Sequence, residues 1–180
     1  MTHINKGYLA TYFQAVMKFP PDAAFLCVTY ISALIALFAP FFGYFSEKYT
    51  YQKFNTIIIV MIIFLYLPAF MLITSSNYNY ITLGLTLIAI LTAAILTPTY
   101  VFLSDLFPPE VRYSGVGVNF NIGVSMFGGF APLISMYLTQ RTGLNYAPAF
   151  YVLSLAVLYI ILLTAYNHHA KVKRRPKKVK

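Results

Sequence analysis

Residues 54–74 read FNTIIIVMIIFLYLPAFMLIT, without one Asp, Glu, Lys, Arg or His. A helix of about 20 such residues crosses a hydrocarbon core of roughly 30 Å. Nothing in the run alternates polar with apolar, as a membrane barrel strand would. An apolar segment in lipid must satisfy its own backbone donors and acceptors, and the helix does so within one segment. The composition of the whole chain agrees. Of 180 residues, 59% are apolar and 9% charged, where a soluble domain carries about a quarter charged residues. There are too few polar side chains to cover a water-facing surface.

The same length test gives an all-α, polytopic membrane protein with helices at about 4–17, 23–46, 54–74, 81–104, 111–138 and 147–167. Five are full transmembrane helices and the first is short. Residues 1–170 form the membrane body and 171–180 a basic tail. The short segment carries Asn5, Lys6 and Gln14 and ends at Lys18-Phe19-Pro20-Pro21. It reads as the back end of a membrane helix whose front end is absent. A signal peptide is the alternative, but Tyr8, Tyr12 and Gln14 interrupt its apolar region and no small-residue cleavage site follows. Cys27 is the single cysteine, so no internal disulfide can form.

Charge sets the expected orientation. Lys6, Lys48, Lys53, Arg112 and the seven basic residues from Lys171 to Lys180 fall on one side of six segments. Lys18 and Arg141 fall on the other. Positive residues stay in the cytoplasm, so both termini are expected there, in a bacterial inner membrane. The net charge of +9 is read as attraction to anionic headgroups, not to nucleic acid. His168 and His169 lack further ligands nearby and suggest no metal site. Tyr44, Tyr49, Tyr51, Tyr78, Tyr80, Tyr146 and Tyr151 flank the loops and supply the interfacial aromatic belt in a chain without Trp.

The loop between the fourth and fifth segments is DLFPPEVRYSG, residues 105–115. Pro108 and Pro109 lack amide donors and stop the preceding helix. With VGVNFNIGVSMFGGFAP behind it, the loop resembles the junction of helices ten and eleven in major facilitator superfamily transporters. It is closest to the metabolite:proton symporter branch, which includes proline/betaine and α-ketoglutarate transporters. Asp105, Phe107, Pro108, Arg112, Gly115, Asn121, Gly128, Gly129 and Pro132 fall on the pattern. Upstream, GYFSEKYTYQK, residues 43–53, resembles the family's loop G-x-x-[SA]-D-R-x-G-R-[RK]. Gly43 and Ser46 fit, Glu47 and Lys48 stand for Asp and Arg, and Thr50, Tyr51 and Gln52 depart.

The resemblance covers about residues 7–166 and implies a six-helix half-bundle, the C-terminal half of a twelve-helix transporter, beginning within helix seven. It implies transport of a small polar or zwitterionic metabolite with protons. It also brings Glu47, Lys48, Asp105 and Arg112 together as a cytoplasmic gating cluster. The expected partners are the bilayer and either an N-terminal half-bundle or further copies of the chain. No cofactor and no metal are expected.

Polar and small residues within the spans are the remaining candidates. Gly117, Asn121, Ser125, Gly128, Gly129 and Pro132 recur at steps of three and four along one stripe of the fifth helix. Such a stripe either lines a path or lets helices pack closely, and for Asn121 both readings stay open. Tyr12 and Thr97 are further path candidates. Pro98 kinks the fourth helix, as a hinge or as a static bend. No membrane-embedded Asp, Glu, Lys, Arg or His lies between Ala23 and Tyr166, so a proton-titrating group is not apparent here. There is no Ser–His–Asp set, phosphate loop or metal cluster to suggest an enzyme. Three readings remain: a transporter incomplete as a single chain, a non-transporting membrane partner or remnant of a split transporter, or a small homo-oligomeric channel.

Overall fold

The computed structural model describes residues 9–48 and 51–173. Helix α1 is Leu9–Ala15, α2 Pro21–Lys48, α3 Tyr51–Ile73 and α4 Tyr78–Asp105. Helix α5 is Arg112–Gly123, followed by a π-helical turn at Val124–Gly128, then α6 Ala131–Thr142 and α7 Pro148–Lys173. Four spans are long and apolar enough to cross a membrane: Pro21–Ser46, Lys53–Ile73, Tyr78–Asp105 and Arg112–Thr142. Pro148–Thr164 adds a shorter apolar stretch within α7.

Helix α4 is the centre. It packs between α2 and α3, α3 also meets α7, and α7 meets α6. Half of the α4 span is buried, against 11% for α2 and 17% for Arg112–Thr142. The latter two therefore carry most of the open surface. Ile58, Ile62, Tyr66, Ala69, Phe70 and Ile73 form the inner face of α3 at steps of three and four. Ile81, Leu85, Ile88 and Thr92 oppose them from α4. In lipid the drive for this contact is close packing rather than escape from water. Gly84 makes the approach possible: a Cβ there would lie 2.6 Å from the Ala69 carbonyl oxygen and 2.9 Å from Ile73 Cγ1.

Helices α2 and α4 pack together near a proline in each. Pro40 lies inside α2 and Pro98 inside α4. Beside them, Thr97 Oγ1 donates to the Ala39 carbonyl at 3.1 Å. A Cβ on Gly43 would meet Thr97 Cγ2 at 3.1 Å.

The continuous fifth helix expected over 111–138 is interrupted. Pro132 is the reason. It has no amide hydrogen for the Gly128 carbonyl, and its ring crowds that carbonyl in a regular helix. It sits instead in the first turn of α6, where a missing donor does no harm. The preceding backbone widens into the π turn, closed by Gly129 N–H to the Val124 carbonyl at 2.9 Å. Gly129 fits there because a Cβ would stand 2.6 Å from the Ser125 carbonyl oxygen. The Tyr151 hydroxyl of α7 donates to the Phe127 carbonyl at 2.7 Å and ties the turn to the bundle.

Candidate functional site

The DLFPPEVRYSG loop builds itself from its own residues. Helix α4 ends at Asp105, and α5 starts at Arg112 after a turn in which Val111 N–H donates to the Pro108 carbonyl at 3.2 Å. The Phe107 ring lies over Gly115, so closely that a Cβ would meet the ring at 2.5 Å. Arg112 Nε donates to the Phe107 carbonyl at 3.4 Å. Phe107, Arg112 and Gly115 thus serve one another and fix the angle at which α5 leaves α4.

Three members of the expected charge cluster have described side chains. Lys48, Asp105 and Arg112 are exposed, and among the described residues no ion pair joins them. The side chain of Glu47 lies outside the described residues. Exposed pairs at a loop surface are worth about 0–1 kcal/mol, too little to order these side chains against the backbone bond that Arg112 makes.

Helix α5 has no buried residue. Val116, Phe120 and Val124 are half-buried on the side toward α4, where Phe120 meets Tyr100 with ring centroids 5.1 Å apart. Val118 and Ile122 lie on the opposite side and are 58% and 54% exposed. Asn121 and Ser125 occupy the flank between these sides and are exposed. Asn121 Nδ2 donates to the Gly117 carbonyl at 2.8 Å, so its amide is held on its own helix. Asn119 does the same to Gly115 at 2.8 Å. Around Gly117 no atom lies within 4 Å of an added Cβ, so no helix of this chain packs on it. Gly128 and Gly129 belong to the π turn and its end, and Pro132 to the helix break.

The stripe runs into a cleft between α1 and α6, lined by Thr11, Pro132, Leu133, Met136, Tyr137 and Gln140 and enclosing about 480 Å³. Pro132, Met136 and Gln140 follow at steps of four, one above another on α6. Gln140 was not among the expected site residues, although extending the stripe past Pro132 reaches it. Tyr12, expected on a path, is a core residue instead. It is fully buried, its hydroxyl donates to the Asn145 carbonyl at 2.8 Å, and its ring meets Phe70 edge-on at 5.5 Å. An amphipathic ring with a hydroxyl partner at hand is better buried than lining a polar path. Thr11, its neighbour, faces the cleft. Thr97 is spent on the α2–α4 crossing through Ala39, and Pro98 is buried beside it.

No solved structure matches the chain. It is 32% identical to the ectoine/proline transporter ProP of Corynebacterium glutamicum, over 82% of this chain and 29% of that protein. It is 29% identical to the glycine betaine/proline/ectoine/pipecolic acid transporter OusA of Dickeya dadantii, over 86% of this chain and 30% of that one. The chain therefore spans less than a third of the length of these relatives. The Major Facilitator Superfamily pattern matches residues 4–180, and the all-helical, polytopic half-bundle fits that fold: the chain belongs to the Major Facilitator Superfamily.

Proposed function

We propose that the chain supplies one half-bundle of a secondary transporter for a small zwitterionic osmolyte, moved together with protons. One observation carries the reading. Arg112–Thr142, one of the two least covered spans, also holds the polar and small stripe and one wall of the α1–α6 cleft. Against lipid, an exposed Asn and Ser gain nothing and a glycine-rich flank offers little to pack on. Against a second bundle, the same flank lines a polar seam. Asn121, Ser125, Thr11 and Gln140 are the residues that meet the substrate, and the π turn sets where along the seam the wall steps back. π turns recur at functional sites in helices. Apart from Asp22, Lys53, Asp105, Arg112 and Arg141 at their ends, the described spans hold no charged side chain, which favours a proton-carrying group on the covering bundle. The ends that carry the α2–α3 and α4–α5 loops face the cytoplasm, as the basic residues there favour. The substrates named for the two relatives support a zwitterion as cargo.

Uptake of labelled proline and glycine betaine into vesicles tests this, with the chain alone and with the N-terminal six helices of a proline/betaine relative. The expected result is uptake only with both halves, reduced by Asn121→Leu and Gln140→Leu without loss of membrane insertion. Stable association of the halves with no uptake of either substrate overturns the reading in favour of a non-transporting partner subunit.

A further inference from the structure

The end of the α1–α6 cleft nearest the loop after α6 carries a cation. Arg141 lies in the last turn of α6, one helical turn beyond Tyr137, and its guanidinium carbon stands 5.7 Å from the centre of the Tyr137 ring. Tyr137 lines the cleft with Thr11, Met136 and Gln140. A helix C-terminus accepts a cation anywhere around its last turn, but the contact with Tyr137 holds Arg141 on the cleft side. At this same end the Tyr12 hydroxyl ties α1 to the Asn145 carbonyl at 2.8 Å, so the two walls of the cleft are joined where Arg141 stands.

The guanidinium is loosely held. A cation acts on a ring up to about 6 Å from its centre, and 5.7 Å is near that limit. Both side chains are exposed. Among the described residues Arg141 and Gln140 make no hydrogen bond, and Arg141 no ion pair. Neither α1 nor α6 contains a carboxylate. Asp22, an acid at the same end of the bundle, lies in the first turn of α2, whose positive end it suits.

A carboxylate offers a guanidinium paired, charge-assisted hydrogen bonds, which are stronger than a distant contact with a ring. An arriving carboxylate therefore draws Arg141 off Tyr137 and uncovers the ring. A second cation can then take the place that Arg141 leaves. An alkylated ammonium suits it, because it has few or no N–H donors to satisfy and the adjoining wall, Pro132, Leu133 and Met136, is apolar.

We infer that Tyr137 and Arg141 determine specificity at the mouth of the cleft, selecting a zwitterion that carries both a carboxylate and an alkylated ammonium. Arg141 binds the carboxylate and the Tyr137 ring binds the ammonium. The assignment rests on the reading of this cleft as part of the substrate path. A cation without a carboxylate is refused, since Arg141 then stays over the ring and repels it.

The test uses vesicles holding the chain together with the N-terminal six helices of a proline/betaine relative. Uptake of glycine betaine and proline is compared with that of choline, which has the quaternary ammonium but no carboxylate. The unaltered complex is expected to take up the first two and exclude choline. Arg141→Gln raises KM for glycine betaine and proline several-fold, with little change in kcat, and admits choline. Tyr137→Leu raises KM for glycine betaine several-fold more than for proline, whose ammonium has N–H donors for Gln140. Tyr137→Phe keeps the ring and the preference. Uptake with KM and choline exclusion unchanged by Arg141→Gln overturns the assignment and leaves the transport reading standing. Equal effects of Tyr137→Leu and Tyr137→Phe overturn the role of the ring. No uptake by the unaltered complex overturns the transport reading, and the assignment with it. Arg141→Gln is an exchange at an exposed position and decides the matter even where Tyr137→Leu fails to insert.

Discussion

Gly84 and Gly117 are both helical glycines, yet the structure gives them opposite fates on substitution by Ala. In each case the new methyl lowers the cost of the helical backbone by about 1 kcal/mol. At Gly117 nothing lies within 4 Å of it, so that gain stands alone. At Gly84 the Cβ meets the Ala69 carbonyl oxygen at 2.6 Å and the Ile73 backbone nitrogen at 3.1 Å. Ordinary contact begins near 3.4 Å, so α3 must withdraw along its tightest crossing with α4. Two of the three atoms met are backbone, and no rotamer change relieves them. Overpacking of this kind costs about 1–3 kcal/mol. The common propensity gain cancels in the comparison, and Gly84→Ala is expected to be less stable than Gly117→Ala by about 1–3 kcal/mol. Reversible unfolding in mixed micelles, followed by helical circular dichroism, reads the difference. Equal stability of the two variants would refute the argument, because it would mean that α3 and α4 do not approach as closely as the Gly84 geometry requires.

Four further outcomes follow from single contacts. Thr97→Val removes the bond to Ala39 while keeping the shape, and in a membrane helix pair this is expected to cost about 0.6 kcal/mol in the same unfolding assay. Tyr151→Phe frees the Phe127 carbonyl and is expected to cost about 1 kcal/mol, with faster amide exchange confined to the π turn. Gly115→Val displaces the Phe107 ring and is expected to raise protease cleavage in 106–111, with little effect from Arg112→Lys, whose bond to the backbone is long. In a Cys27→Ser background, cysteines at 18 and 141 are expected to react with an impermeant reagent from the outer face only. Reaction of position 18 from the cytoplasmic side alone would reverse the proposed orientation.

The helices were legible because each span is long, apolar and bounded by charge or proline, and lipid leaves a single segment little alternative. Which face each helix buries was far less legible. Periodicity marks a stripe but not what covers it. Residues 54–74 are apolar nearly all round, so no pattern pointed to Asn55 as a buried group against Tyr159. The stripe Gly117–Asn121–Ser125 was readable as a line of small and polar residues, yet its half-buried border with α4 follows Phe120, an aromatic contact that sequence spacing does not reveal. Tyr12 and Thr11 are adjacent, and a shift of about 100° on a helix decides which one is core and which meets the cleft. The charge cluster is a different case. Proximity of loops in the family does not order exposed side chains whose pairing is worth so little.

The interruption of the fifth span was the most recoverable miss, and it bears on the site. A proline four residues after Gly128 removes the bond that a regular helix would make there, and two glycines before it lower the cost of giving that helix up. The backbone could have kinked sharply at that point, as it does at a proline with ordinary neighbours. It forms a π turn instead, and the two features that permit it come from outside the proline itself. Gly129 leaves room for the Ser125 carbonyl, and Tyr151 on α7 takes up the Phe127 carbonyl. Both adjustments leave Ser125 exposed on the side away from α7, immediately before the wall of the α1–α6 cleft begins at Pro132. A straight helix would have carried the Asn121 flank on at its regular phase. With the extra residue of the π turn, the flank is rotated by about 100° before α6 starts, and the steps of four that follow, Pro132, Met136 and Gln140, then point at Thr11. The phase shift is thus what joins a stripe on α5 to a cleft on α6. An extra residue inserted between Gly128 and Pro132 should turn Gln140 away from α1 and abolish cross-linking by a short bifunctional thiol reagent between cysteines placed at 11 and 140 in a Cys27→Ser background, whereas no cross-link in the uninserted chain as well would mean that the cleft is not walled by α1.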